Sequence, residues 1–318
     1  MTRSSTGAIV RPSRDDAVTC RGAHVPSYES MNHVLVTGAT GQIGREVVSQ
    51  LRATGCPVRA MSRSPGTAAL PSDVELVRGD LLAPETLDGC LDGIDRVFLV
   101  WIGPLSAAVP AVERIARRAR HVVLLTSPHR TPHPFFQQPN ALRAVHGGVE
   151  QLIEESGLRW TFLRPGPFAL NCRNWWAPQI RGGHVVRWCY ADAETAPVHE
   201  LDIAAVAVRA LCEEGHDGRE YVLTGPASLT QREQVETIGE AIARPLRFEE
   251  LPRASAREHM IAMRFPPAIA DMLLDAYAAA VGQPALVTSA IAEVTGVPAR
   301  TFLDWAKDHA AAFTIQPS

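Results

Sequence analysis

The sequence predicts an α/β fold: a doubly wound parallel sheet with a smaller, mostly helical C-terminal lobe on the substrate side. Two observations carry that expectation. From Met31 to about Arg164, short apolar runs alternate with segments of helical periodicity, as parallel βαβ units require. After Pro165 the alternation stops, and Gly, Pro and aromatic residues dominate to about Pro197 before a mostly helical remainder.

Val34, Leu35 and Val36 form the first strand. Arg45 to Thr54 sets Val47, Val48 and Leu51 on one helical face and ends at Gly55, a favourable C-terminal stop. Strands follow at Val58 to Met61, Val74 to Val77 and Val97 to Val100, then a helix over Leu105 to Ala119 and a strand over Val122 to Leu125. The segment from Pro128 to Asn140 contains four prolines and reads as a loop long enough to rim a site. A helix from Leu142 to Ser156 leads into the strand Thr161 to Leu163. Beyond Pro197 come a helix over Ile203 to Cys212 and a strand over Tyr221 to Leu223. Thr230 and Glu233 then form a capping box at the head of another helix. The expected organisation is a disordered tail over 1–30, a nucleotide-binding domain over 31–165, and a substrate-side lobe over 166–318 that partly completes the sheet.

Composition narrows the function. At 46% hydrophobic and 20% charged residues, the chain can bury a real core. A net charge of -3 argues against nucleic acid or an acidic membrane surface as partner. The first thirty residues lack the apolar segment of a secretory signal, and no apolar run is long enough to span a bilayer. Six dispersed cysteines, with no C-x-x-C pair or zinc spacing, read as free thiols in a reducing, cytoplasmic setting, with no metal site. The expected partner is a small-molecule substrate, and the expected state a monomer or homodimer.

The strongest local signal is the run Thr37-Gly38-Ala39-Thr40-Gly41-Gln42-Ile43-Gly44, which follows a strand and opens a helix. Gly38 permits a tight turn, Gly41 lets backbone approach a pyrophosphate, and Gly44 lets the helix pack closely on the sheet. The free amides and positive end of that helix then face the phosphates. This is a Rossmann-type dinucleotide site, with Gly38, Thr40, Gly41, Gln42, Ile43 and Gly44 at the cofactor. An NAD enzyme carries a carboxylate at the end of strand two. Here that position reads Ala60-Met61-Ser62-Arg63, so Ser62 and Arg63 offer a hydroxyl and a guanidinium to a 2′-phosphate. NADP(H) is therefore favoured over NAD(H). Asp80 and Leu81, ending strand three, are placed at the adenine, with a local turn role equally open to Asp80.

The run TGATGQIG resembles the atypical short-chain dehydrogenases/reductases. With RGDL at 78–81, EQLIEESGLRWTFLRPGPF at 150–168, LDIAAVAVRAL at 201–211, REYVLTGPASLT at 219–230 and TGVPARTFLDWAKDHAAAF at 295–313, the chain is similar to their NmrA-like members. That resemblance implies an oxidoreductase or a nucleotide-sensing regulator. Standard relatives use Ser with Tyr-x-x-x-Lys, the tyrosine donating a proton. Aligned on Glu150, the lysine position falls on His146 and the tyrosine position on Leu142, while the strand-five serine is kept as Ser127 after Thr126. His146 and Ser127 are therefore the candidate catalytic residues, His146 because its pKa lies near neutrality.

Ligands in this architecture lie beyond the carboxyl ends of the strands. Those ends place Trp101, Thr126, Pro165, Gly166 and Phe168 at the cofactor and Trp101 at the substrate, and the resemblance implies that the following segment, with Phe168, Asn171, Trp175 and Trp176, passes the nicotinamide and forms one wall of the substrate pocket. The tryptophans are equally readable as core. His133, Phe135 and Phe136 are placed to close over the site. An aromatic-lined pocket suits a bulky conjugated acceptor: a quinone, polyketide, flavonoid or iminium compound. The leading expectation is an NADP(H)-dependent oxidoreductase of an aromatic or polycyclic molecule. The alternatives are a non-catalytic NADP(H)-sensing regulator, and an isomerase or cyclase with a structural cofactor.

Overall fold

The structure, a computed structural model, describes residues 33–138 and 141–314. The expected tail over 1–30 lies outside these residues. In the first half the strands are β1 (Val34–Val36), β2 (Val58–Ser62), β3 (Glu75–Arg78), β4 (Arg96–Val100), β5 (His121–Leu125) and β6 (Arg159–Pro165). The helices between them are α1 (Gln42–Ala53), α2 (Leu87–Cys90), α3 (Leu105–Arg118) and α4 (Ala141–Glu155). The second half contributes α5 (Leu170–Gly182), β7 (Val185–Trp188), β8 (Glu194–Thr195), α6 (Glu200–Cys212), β9 (Arg219–Leu223), β10 (Leu229–Thr230), α7 (Gln231–Ala241) and β11 (Arg247–Glu250). Five helices close the chain: α8 (Arg253–Ala262), α9 (Pro267–Ala280), α10 (Ala290–Thr295), α11 (Phe302–Asp308) and α12 (Ala310–Phe313).

Seven strands form one sheet in the order β3-β2-β1-β4-β5-β6-β9, and every pair in it is parallel. Chain direction across the sheet reverses between β1 and β4, which opens a crevice at their carboxyl ends where this class of sheet binds ligands. One face of the sheet is covered by α1 and α6, through Val47, Val48, Leu51, Ile203, Ala207 and Leu211. The other is covered by α2, α3 and α4, through Leu87, Leu91, Val112, Ile115, Val149 and Ile153. The parallel strands are buried on both faces, which explains their near-continuous apolar runs.

The second half is divided. Helix α6 and strand β9 return to the sheet, while α5, α7, α8, α9 and α11 enclose a separate apolar core around Trp176, Trp188, Met260, Leu274 and Trp305. Segment 166–197, where Gly, Pro and aromatic residues dominate and the sequence assigned no element, holds the thirteen-residue helix α5 despite Pro178 within it. Its apolar face, Leu170, Cys172, Trp176, Ala177 and Ile180, is fully buried, and that burial outweighs the lost backbone hydrogen bond. The capping box of Thr230 and Glu233 is present with both of its hydrogen bonds. Among the described residues, no helix is long and apolar enough to cross a membrane.

Candidate functional site

The turn after β1 is folded around one carbonyl. Gly38 has φ +61°, a backbone region that disfavours side chains. A Cβ added at Gly41 would lie 3.1 Å from the Gly38 oxygen, and one at Gly44 would lie 2.2 Å from it. Gly44 therefore clears the backbone of its own loop rather than the sheet, a correction to the role expected from spacing. Gly41 caps α1 with no side-chain hydrogen bond, and the first turn of the helix holds no acidic residue. The amides of Gln42, Ile43 and Gly44 are thus available to an anion at the positive end of a twelve-residue helix. Thr40 is exposed beside them, and Ile43 anchors the turn with its side chain in the core.

Arg63 is exposed just past β2, and Ser62 is half-buried, its Oγ accepting from the Ser64 amide. Asp80 serves as a turn residue, Oδ1 accepting from the Leu82 amide at 3.0 Å, and Leu81 packs against the core beneath it. Uncapped amides at a helix start and a glycine turn that a Cβ would fill fit the diphosphate of a dinucleotide.

At the carboxyl end of β5, Ser127 opens onto a cavity with about 170 Å³ of open volume. Its walls are Ser127, His129, Leu142 and His146 on one side, and Met272, Leu273 and Ala276 of α9 on the other, with Phe135 and Phe136 above. The expected catalytic pair, Ser127 and His146, therefore shares one cavity, and Leu142 lies in the same wall. Burial pushes the His146 pKa below its ordinary value, helped by the neighbouring His129 imidazole, so His146 is neutral at pH 7. The proline-rich loop is tied down: His133 Nε2 bonds the Pro284 carbonyl at 3.0 Å, and the Phe135 ring meets Tyr277 edge-on at 5.6 Å.

Beneath the cavity is an ionic network that sequence reasoning did not assemble. Glu150, 0% exposed, is gripped by Arg164, whose Nη1 and Nη2 donate at 2.8 and 2.9 Å. Arg164 Nε donates to Glu220 at 2.8 Å, and Nη1 also reaches the Ser127 carbonyl at 3.0 Å. Burial opposes the Arg164 charge, but the hydrogen bonds to Glu150 and Glu220 outweigh it and hold the guanidinium pKa above its usual value. Thr126 Oγ1 donates to Glu150 at 2.6 Å, so its hydroxyl is turned inward rather than toward a cofactor. Glu150 and Arg164 were visible only as parts of a resembling motif; their pairing requires α4 to cross β6.

The remaining expected residues separate. Pro165, Gly166 and Phe168 lead from β6 into α5 along the carboxyl edge of the sheet. Phe168 and Asn171 border a narrow cleft with Trp175 and Tyr277. Trp176, 1% exposed, lies in the second core, and Trp175 stacks on Trp188 with ring centroids 5.5 Å apart. Trp101 is 4% exposed, its indole donating to the Gly103 carbonyl at 2.8 Å, whereas Ile102 beside it is 87% exposed. Trp176, though buried, also lines the cleft of Phe168, Asn171 and Trp175, whereas Trp101 lies away from both that cleft and the Ser127 cavity.

Residues 38–214 match the model of an NAD(P)H-binding family. The chain is 41% identical over 290 residues to the (4-alkanoyl-5-oxo-2,5-dihydrofuran-3-yl)methyl phosphate reductase of Streptomyces griseus, covering 88% of this chain and 99% of that one. It is 34% identical over 287 residues to the NAD(P)H azoreductase of Xenophilus azovorans, with 88% and 99% covered. In fold it resembles an NADPH-dependent quinone oxidoreductase from Escherichia coli (TM-score 0.73, 22% identity, 86% and 98% covered). It also resembles the Citrobacter triphenylmethane reductase complexed with NADP(H) (TM-score 0.72, 20% identity, 87% and 99% covered). The glycine turn, the all-parallel sheet and these matches together place the chain in the NAD(P)H-binding, NmrA-like family of atypical short-chain dehydrogenases/reductases.

Proposed function

We propose that the chain is an NADP(H)-dependent oxidoreductase that moves hydride to or from a conjugated, largely apolar small molecule held beside Ser127. The observation that carries this reading is one edge of one sheet: the uncapped glycine turn after β1 and the apolar cavity after β5 both open at the carboxyl ends of the strands. Arg63, with no carboxylate at its position, supports the phosphorylated coenzyme.

The residues divide the work as follows. Amides 42–44 hold the pyrophosphate, and Arg63 with Ser62 holds the 2′-phosphate. Leu142, Phe135, Phe136 and the α9 residues exclude water and press a flat acceptor against Ser127 and His146. A reduced nicotinamide, when bound, supplies hydride. A quinone, an iminium ion or an unsaturated lactone is already electrophilic at carbon and needs less proton assistance than a ketone, which suits Leu142 and His146 at the Tyr and Lys positions. The substrates named for the two relatives, a furanone phosphate and an azo compound, are conjugated acceptors of that kind.

The test is direct. NADPH and NADH are titrated side by side, and NADPH oxidation is then followed with quinones, iminium salts, azo dyes and unsaturated lactones. Tighter NADPH binding with turnover of at least one acceptor class is expected. Tighter NADH binding overturns the coenzyme assignment, and tight NADPH binding without turnover across the panel favours a sensing role.

A further inference from the structure

We propose that Ser127, His129 and Glu150 form a proton relay that serves the cavity, the task that a tyrosine performs in standard relatives. This inference rests on the reading that the hydride acceptor lies against Ser127. His129 follows β5 by four residues and is 7% exposed, yet its ring reaches the cavity wall. Its Nδ1 lies 3.3 Å from Ser127 Oγ and 3.2 Å from the Ser127 carbonyl. On the opposite edge, Nε2 lies 3.6 Å from Glu150 Oε2. Gly147 of α4 packs beside the ring, its Cβ position 3.4 Å from Nε2, an ordinary contact distance.

The groups facing His129 come from three elements. Glu150 and His146 approach from α4, Arg164 from β6 (Nη1 at 3.5 Å from Nδ1), and Arg130 from the same loop. Arg130 also lies near Glu150, Glu154 and Glu220, and Arg164 is paired with Glu150 and Glu220, so carboxylates offset both guanidinium charges. Burial pulls the His129 pKa down and Glu150 pulls it back up; burial prevails, and His129 is mainly neutral at pH 7. Glu150 can still stabilise the imidazolium when it forms, because Thr126 and Arg164 fix its carboxylate in place.

The step balances as follows. As the acceptor gains hydride from the reduced nicotinamide, the Ser127 O–H bond breaks and its proton joins the substrate's new anionic centre. Ser127 recovers a proton from Nδ1 of His129 in its protonated form, the minor form at pH 7, and the ring is left neutral with Nε2–H facing Glu150. Water then reprotonates His129. His146 borders the same cavity but makes no hydrogen bond among the described residues, so it has no partner through which to relay.

The test uses the full-length chain and the acceptor that turns over fastest. H129Q and S127A should each lower kcat at least about tenfold, as loss of a general acid does, with KM changed less than about threefold. Native kcat should fall as pH rises above the His129 pKa, and H129Q should flatten that profile, whereas H146F should keep it. NMR titration of the histidine ring protons gives a readout independent of turnover. His129 should titrate below the ordinary histidine range, and about one pH unit lower again in E150Q. Native kcat and pH profile in H129Q, or a His129 titration unmoved by E150Q, would overturn the relay. If none of the acceptors supports NADPH oxidation by the native chain, the hydride reading itself fails; if an acceptor turns over and that turnover survives unchanged in H129Q, only the relay does.

Discussion

Replacing Gly44 with alanine should damage cofactor binding more than any other single methyl group added to this chain. The new Cβ would stand 2.2 Å from the Gly38 oxygen and 2.7 Å from its carbonyl carbon. A comfortable carbon–oxygen approach is about 3.3 Å, so backbone must move by about 1 Å. Neither partner is the end of a flexible side chain, so the cost lies near the top of the usual overpacking range, about 3 kcal/mol. Alanine's better helix propensity returns about 1 kcal/mol, leaving a net loss of about 2 kcal/mol. The larger effect is functional, because the displaced turn carries the amides that meet the pyrophosphate. Losing one charge-assisted amide contact is worth about 1.5–3 kcal/mol, a rise in the NADPH Kd of about 10- to 140-fold. Gly89→Ala is the control, since nothing lies within 4 Å of its added Cβ. Calorimetric titration with NADPH, alongside urea unfolding, measures both effects. Native affinity in folded Gly44→Ala would refute the phosphate-turn assignment.

Arg63→Ala should raise the NADPH Kd about tenfold and leave that for NADH unchanged, which a paired titration measures. Glu150→Leu strands the buried Arg164 guanidinium and should cost about 3–5 kcal/mol in urea unfolding, with Glu150→Gln costing less because the amide oxygen still accepts a hydrogen bond. Glu200, hydrogen-bonded to His309 and close to His199, has its pKa lowered to about 2; burial opposes the shift, and the two histidines outweigh it. A depressed carboxyl stabilises the fold above its unfolded pKa of 4.5 and loses that contribution as pH falls toward 2. The contribution is about 3 kcal/mol, and unfolding of Glu200→Gln should show a weaker dependence on pH across that window.

The sheet was legible because each of its strands is locally distinctive. Runs such as Val97 to Val100 and Val122 to Leu125 are apolar throughout because both faces are covered, and residues 38–44 stand out because their glycine spacing falls between a strand and a helix. Helix α5 was not legible. Pro178 and two tryptophans mask its periodicity, and its stability comes from a core whose other members lie beyond residue 185. The carboxyl-end cavity was half legible: Ser127 and His146 were named from motif position, but the α9 wall of Met272, Leu273 and Ala276 carried no signal.

The sequence by itself therefore determined the parallel sheet, the phosphate turn and the absence of a carboxylate at residue 63. Each depends on residues close together in the chain, where periodicity and backbone sterics act directly. Tertiary structure decided which polar groups meet. Glu150 and Arg164 are fourteen residues apart and Glu220 is a further fifty-six away, and only the packing of α4 on β6 and the pairing of β6 with β9 bring them together. It also decided how deeply Trp101 and Trp176 are buried, because burial depends on what packs against a ring, and their packing partners come from several elements of the fold.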